Sequence, residues 1–219
     1  MSRLDDVGEF YECLSVLEAR CAGKRTLDHC DAGMGWPKLG VYFFFEPDEI
    51  RTHSGRGLRV VRVGTHGLVR RSKSTLWNRL AQHRSGNQNG SIFRKLVGDA
   101  IISRKAAVGP ALSGGDLSPA DLKSAVSRHI GAMPFLWLAV EDDPSPGSVR
   151  SYVEKNSIAL LSNIAARSPS VIDPPSARWL GLHCPKNEVC RSGLWNSRHV
   201  EEEYDRYLLA CLRPLCSKG

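Results

Sequence analysis

Apolar and polar positions alternate along the chain in two rhythms, one helical and one strand-like. Residues 5 to 22 set Val7, Phe10, Cys13, Leu14 and Leu17 along one stripe, which predicts an amphipathic helix stopped by Gly23. After a loop with Gly33, Gly35 and Pro37 comes Lys38-Leu-Gly-Val-Tyr-Phe-Phe-Phe-Glu46, dense in aromatic and β-branched residues. That run predicts a central strand over 39–46, ended by Pro47. Residues 47 to 57 suit a hairpin loop. Leu58 to Gly64 is the second strand, and the short link makes the pair antiparallel. Helical spacing returns from Leu76 to His83, with Leu76, Trp77 and Leu80 on one side and Ser74 or Thr75 as the cap. Ser85 to Gly90 reads as a surface loop. A helix starts at Ser91 with Ile92, Leu96 and Val97 inward, residues 105 to 118 read as loop, and Pro119 opens a helix over 119–131. The apolar run at 133–141 is a third strand. Ser148 caps a helix over 149–166, and Pro169, Pro174 and Pro175 break the chain after it. Residues 176 to 196 lack a rhythm, with Trp179 and Trp195 as anchors, and 201–212 is a last helix.

These elements predict an α/β domain of the α+β type: a small three-stranded antiparallel sheet flanked by helices. The expected division is an N-terminal helical extension over 1–37, a core over 38–167 and a C-terminal extension over 168–219 packed on it. The length of 219 residues suits one compact domain, or one with an appendage.

Composition adds less. The net charge of +7 favours a polyanionic partner, most simply nucleic acid. No apolar run approaches the roughly 18 residues that span a bilayer. The start Met-Ser-Arg-Leu-Asp-Asp-Val carries acids where a signal peptide needs a basic start and an apolar run, so a cytoplasmic protein is expected. The seven cysteines are odd in number, which favours reduced thiols over a disulfide framework. His183, Cys184 and Cys190 lie close together, but no Cys-x-x-Cys pair completes a zinc module.

Candidate chemistry begins on the helix at 76–83. Arg79 and His83 are four residues apart and project from one face. A guanidinium is a permanent fork for phosphate oxygens, and an imidazole moves a proton near neutral pH. Taken alone, the pair is also what an exposed basic helix face displays. Arg70, Arg71, Lys73 and Arg84 bracket this helix and are the candidate phosphate contacts.

The order of parts narrows the reading. Gly40-Val-Tyr42 lies in strand one, Arg62-Val-Gly64 ends strand two, Arg79 follows on the next helix, and Glu154 stands on the helix after strand three. This order resembles the GIY-YIG nuclease family over roughly residues 38 to 165. The resemblance is closest to the restriction-endonuclease branch, where a His follows the helical Arg by four residues. It implies a divalent-metal-dependent DNA endonuclease using Mg²⁺, or Mn²⁺ in its place. By the resemblance, Glu154 holds the metal, Arg79 clamps the scissile phosphate, and Tyr42 orients the attacking water or relays its proton with His83 as partner base. Asn163 or Asn196 supports the metal site. The second motif departs from the family: Arg62 stands where its tyrosine should be, and Arg62 or His66 fills that place. DNA is the implied partner, and a homodimer on DNA is one open arrangement. A repair or structure-selective nuclease, or a DNA-binding module that has lost catalysis, are the alternatives; a zinc-stabilised interaction domain on Cys184 and Cys190 is the third.

Overall fold

The computed structural model describes residues 2–87, 90–108, 117–166 and 170–218. Its centre is an antiparallel sheet of four strands in the order β1-β4-β2-β3: β1 (Arg25–Thr26), β2 (Gly40–Ile50), β3 (Leu58–Thr65) and β4 (Pro134–Ala139). The expectation of three strands is corrected by β1, a two-residue strand on the outer edge of β4 that is too short to leave a pattern. β2 is central, as expected, but runs past Pro47. Pairing with β3 is interrupted between Phe45 and Ile50, so Pro47 sits where no ladder hydrogen bond is needed. The hairpin loop is therefore 51–57, not 47–57.

Alternate residues of β2 point to opposite faces of the sheet. Val41, Phe43 and Phe45 pack against α1 (Arg3–Arg20), α5 (Val149–Leu161) and α7 (Tyr207–Ser217). Tyr42 and Phe44 pack against α2 (Leu76–Ser85), α3 (Ile92–Val108), α4 (Pro119–Gly131) and the segment carrying Trp179 and Trp195. That segment holds a 3₁₀ turn at Leu180–His183 and the short α6 (Asn187–Ser192), where the sequence promised no element.

Capping explains several boundaries. Thr75 caps α2 by accepting the Asn78 N–H, and Ser148 caps α5 by accepting the Ser151 N–H. α5 ends at Leu161 rather than 166, because Arg3 takes the carbonyls of Leu160 and Ser162. The last helix is 207–217 rather than 201–212. Its buried stripe is Leu208, Leu209, Leu212 and Cys216, whereas Glu202 is held outside it by Lys155 and His199. On α3 the inward stripe is Phe93, Leu96, Val97 and Ala100. Ile92, expected inward, is 45% exposed. The loop expected at 105–118 starts later, since α3 continues to Val108; its remainder, the expected loop at 85–90, the expected break at Pro169 and the boundary at 167/168 fall partly or wholly outside the described residues.

Candidate active site

Two glycines let the site form. Gly40 pairs with Ala139, and a Cβ there would lie 2.5 Å from the Leu138 carbonyl oxygen. Gly64 pairs with Tyr42, and a Cβ there would lie 2.4 Å from the phenol's Cζ and Oη. Only glycine allows the Tyr42 ring to cross β3. The ring is fully buried, and its hydroxyl reaches His83 Nε2 at 2.8 Å. On the other side of that imidazole, Nδ1 lies 2.9 Å from Ser91 Oγ, at the start of α3. Arg94, also fully buried, donates to the carbonyls of His83 and Arg84, which fixes the end of α2. Burial, followed by the charges of Arg79, Arg62 and Arg94, pushes the His83 pKa well below the ordinary histidine value. The imidazole is neutral at pH 7.

Arg62 stands beside this pair, itself buried. Its Nη1 donates to the Trp195 carbonyl, its guanidinium sits 4.6 Å from the Phe93 ring centroid, and it faces the Tyr42 hydroxyl. Burial lowers its pKa, while Tyr42 and Glu154 oppose that. Arg79 donates to Gln82 Oε1 at 2.7 Å and keeps its Nε buried without a partner. Glu154 accepts the Thr65 N–H through Oε1 at 3.1 Å. Burial raises the Glu154 pKa, against the pull of Arg62, the Thr65 N–H, His199 and Arg79. Arg62, Arg79 and Glu154 line one cavity of about 570 Å³, with Asn196, Lys186 and His199 on its walls.

The other expected residues are scattered. Asn196 lines the cavity, but its side-chain amide is engaged with both backbone groups of Val63. Asn163 accepts the Ile172 N–H and is not part of the lining. His66 is buried with both ring nitrogens unpartnered and does not line the cavity. Burial first, then Arg150, pushes its pKa down to about 4. Of the two residues expected to fill the missing tyrosine's place, Arg62 stands on the cavity wall. Arg70, Arg71 and Lys73 are exposed, whereas Arg84 is partly buried and donates to the Cys30 carbonyl. Ser91, Arg94, Lys186 and His199 were not picked out by the sequence. Arg94 alone left a signal, as a charged residue beside the apolar stripe of α3.

A carboxylate with one oxygen engaged and the other open to a roomy cavity suits a hydrated divalent cation, which keeps several waters and takes one or two carboxylates plus phosphate oxygens. Among the described residues no group of three or more His, Cys, Asp and Glu gathers to hold a metal, so an ion here would rest on Glu154, water and substrate. All seven cysteines are free thiols, and Cys190 Sγ is turned to the Cys184 carbonyl. No helix of the described residues is long and apolar enough to cross a membrane.

No curated protein and no solved structure matches the chain. A family model described as the GIY-YIG domain matches residues 1–218, well beyond the 38–165 over which the motifs lie. With that match spanning nearly the whole chain, the protein belongs to the GIY-YIG family and carries a nuclease domain.

Proposed function

We propose that the protein is a divalent-metal-dependent DNA endonuclease of restriction type, acting in the cytoplasm. The observation that carries this reading is the convergence of Arg62, Arg79 and Glu154 on one cavity, backed by the Tyr42–His83 hydrogen bond. Hydrolysis of a phosphodiester needs charge neutralisation on the phosphoryl oxygens, an oriented water and help for the leaving oxygen. Arg79, partly buried on the wall, binds the scissile phosphate. Arg62 takes the second tyrosine's place and adds a second cationic donor. Tyr42 orients the water or relays its proton through its contacts with Arg62 and His83. Glu154 would hold Mg²⁺ or Mn²⁺, which supplies Lewis-acid stabilisation of the leaving oxygen. Arg70, Arg71 and Lys73 hold the DNA backbone.

The test is plasmid nicking with Mg²⁺ against EDTA, for wild type and Glu154→Gln. Metal-dependent nicking is expected from wild type, and the variant should keep DNA binding while losing activity. Equal cleavage by both proteins would remove Glu154 from the mechanism. A second reading, a DNA-binding module without catalysis, is favoured by Arg62 in place of the motif's tyrosine; tight binding with no nicking under any divalent ion would establish it.

A further inference from the structure

A second cavity, of about 500 Å³, opens on the face of the sheet that carries Tyr42 and Phe44. It lies at the far end of β2, four residues along from Tyr42, or roughly 13 Å at strand spacing. Trp195 stands between the two: its carbonyl accepts from Arg62, while its Nε1 donates to Glu46 Oε1 at 2.9 Å. Glu46 belongs to the second cavity. His129 Nε2 also reaches Oε1, at 3.1 Å. The carboxylate is 7% exposed, and Oε2 has no partner yet is not enclosed, so it faces the cavity. The apolar wall is Trp179 and Met133, both buried. Arg104, Arg128 and Arg178 stand exposed around the mouth, on three separate elements, and none of them has an ion-pair partner among the described residues. Asp48 shares that rim with them.

Each part selects a piece of ligand. Three guanidinium groups at the mouth suit a phosphate. A fixed carboxylate oxygen deep inside accepts N–H donors and repels carbonyls. The apolar wall between them, of Trp179 and Met133, suits the body of a base. The volume falls within the range of small-molecule sites. We propose that this cavity binds a nucleotide, with its base inward against Trp179 and Glu46 and its phosphate at the arginine mouth. Adenine and cytosine present an amino group to Glu46, whereas thymine presents carbonyl oxygens on either side of its one N–H. Bases of the first kind are therefore preferred. The nucleotide is either free or turned out of DNA.

The experiment uses the whole chain in EDTA, so that no cleavage intervenes, and follows tryptophan emission and calorimetric heat. The probes are deoxyadenosine monophosphate, thymidine monophosphate, deoxyadenosine and inorganic phosphate. Saturable binding of the adenine nucleotide is expected, at least tenfold tighter than the other three. Arg128→Ala/Arg178→Ala, on the exposed rim, should weaken it tenfold or more with an unchanged melting temperature. Glu46→Gln should abolish the preference for adenine over thymine. Equal affinity for the thymine nucleotide, or adenine nucleotide binding untouched by the double arginine variant, would overturn the proposal, as would no saturation at millimolar concentration. A duplex containing 2-aminopurine separates the sources. A rise in its emission that the arginine variant abolishes marks a base turned out of DNA, and no rise beside tight free-nucleotide binding marks a free ligand. Because the readout is binding, a chain that cuts no DNA leaves this proposal standing, and a chain that cuts DNA without binding nucleotides overturns it alone.

Discussion

The two faces of β2 are built from neighbouring residues and do different work. Val41, Phe43 and Phe45 meet apolar side chains such as Phe10, Leu14, Val153 and Leu208. Tyr42 and Phe44 also meet apolar side chains, but among them stand His83, Arg62 and Arg94, all at or below 5% exposure. A buried polar group costs stability unless it is hydrogen-bonded, and Arg62 Nε and Arg94 Nε have no partner. A fold seeking stability alone has no use for that arrangement. The strand therefore separates two environments by its alternation: odd positions meet an apolar core, and even positions meet a core that also encloses His83, Arg62 and Arg94.

The most forceful way to break this comparison is to exchange one residue from each face. Phe43→Ala should cost about 3–5 kcal/mol of stability. Tyr42→Phe keeps the ring and should cost about 1–3 kcal/mol, from the missing hydrogen bond and an unpaired His83 nitrogen, while cleavage collapses. Denaturant unfolding beside a nicking assay gives both numbers, and equal stability losses would end the division. Arg79→Ala comes next. Losing one preorganised donor lowers the cleavage rate by roughly 10²–10³, and an unchanged unfolding midpoint would place the loss in chemistry rather than folding. Arg79→Lys should restore little, since an ammonium lacks the planar fork; a wild-type rate in either variant removes Arg79 from the site.

A pH titration sharpens the same contrast. The His66 pKa is about 4 in the folded protein, below about 6.5 in the unfolded chain. The unfolded chain binds the proton first, so stability is intact above about pH 6.5 and falls as pH drops toward 4. The loss is about 3 kcal/mol for the full shift. His83 adds to it with the same sign. His66→Gln should flatten the slope between pH 6.5 and 4; an unchanged slope would assign the acid sensitivity elsewhere. The smallest effect belongs to the exposed basic loop. Replacing Arg70, Arg71 and Lys73 with alanine should weaken binding to all duplexes alike. It should also reduce the log–log salt slope by about 0.9 for each DNA phosphate that is no longer neutralised. Anisotropy across a salt series reads this, and an identical slope would show the three side chains to be merely solvated.

Much of the sheet was legible because β2 carries its own signal, an aromatic run long enough to be a strand and nothing else. The family was legible where one residue type sits on one element, as with Tyr42, Arg79 and Glu154, whose order gave the resemblance that the family model bears out. What stayed hidden depends on packing between distant segments. Ser91 reads as the start of a helix, and only the approach of α2 puts it against His83. Glu46 reads as the end of a strand until Trp195 reaches it across 149 positions. Pro47 misled for a related reason: it ends a strand only where its missing N–H is needed, and the interrupted pairing after Phe45 removes that need.

One edge of the sheet also bears on how the protein behaves in solution. β3 is a terminal strand, and such strands offer open backbone groups on which other chains pair and aggregate. Here the Trp195 N–H takes the Val61 carbonyl, the Asn196 amide takes both groups of Val63, and Glu154 takes the Thr65 N–H. The row is closed by side chains and a short crossing segment instead of a fifth strand. A chain cut short before residue 195 would expose that row and gain a sticky edge, so the segment around Trp195 and Asn196 guards the protein against aggregation.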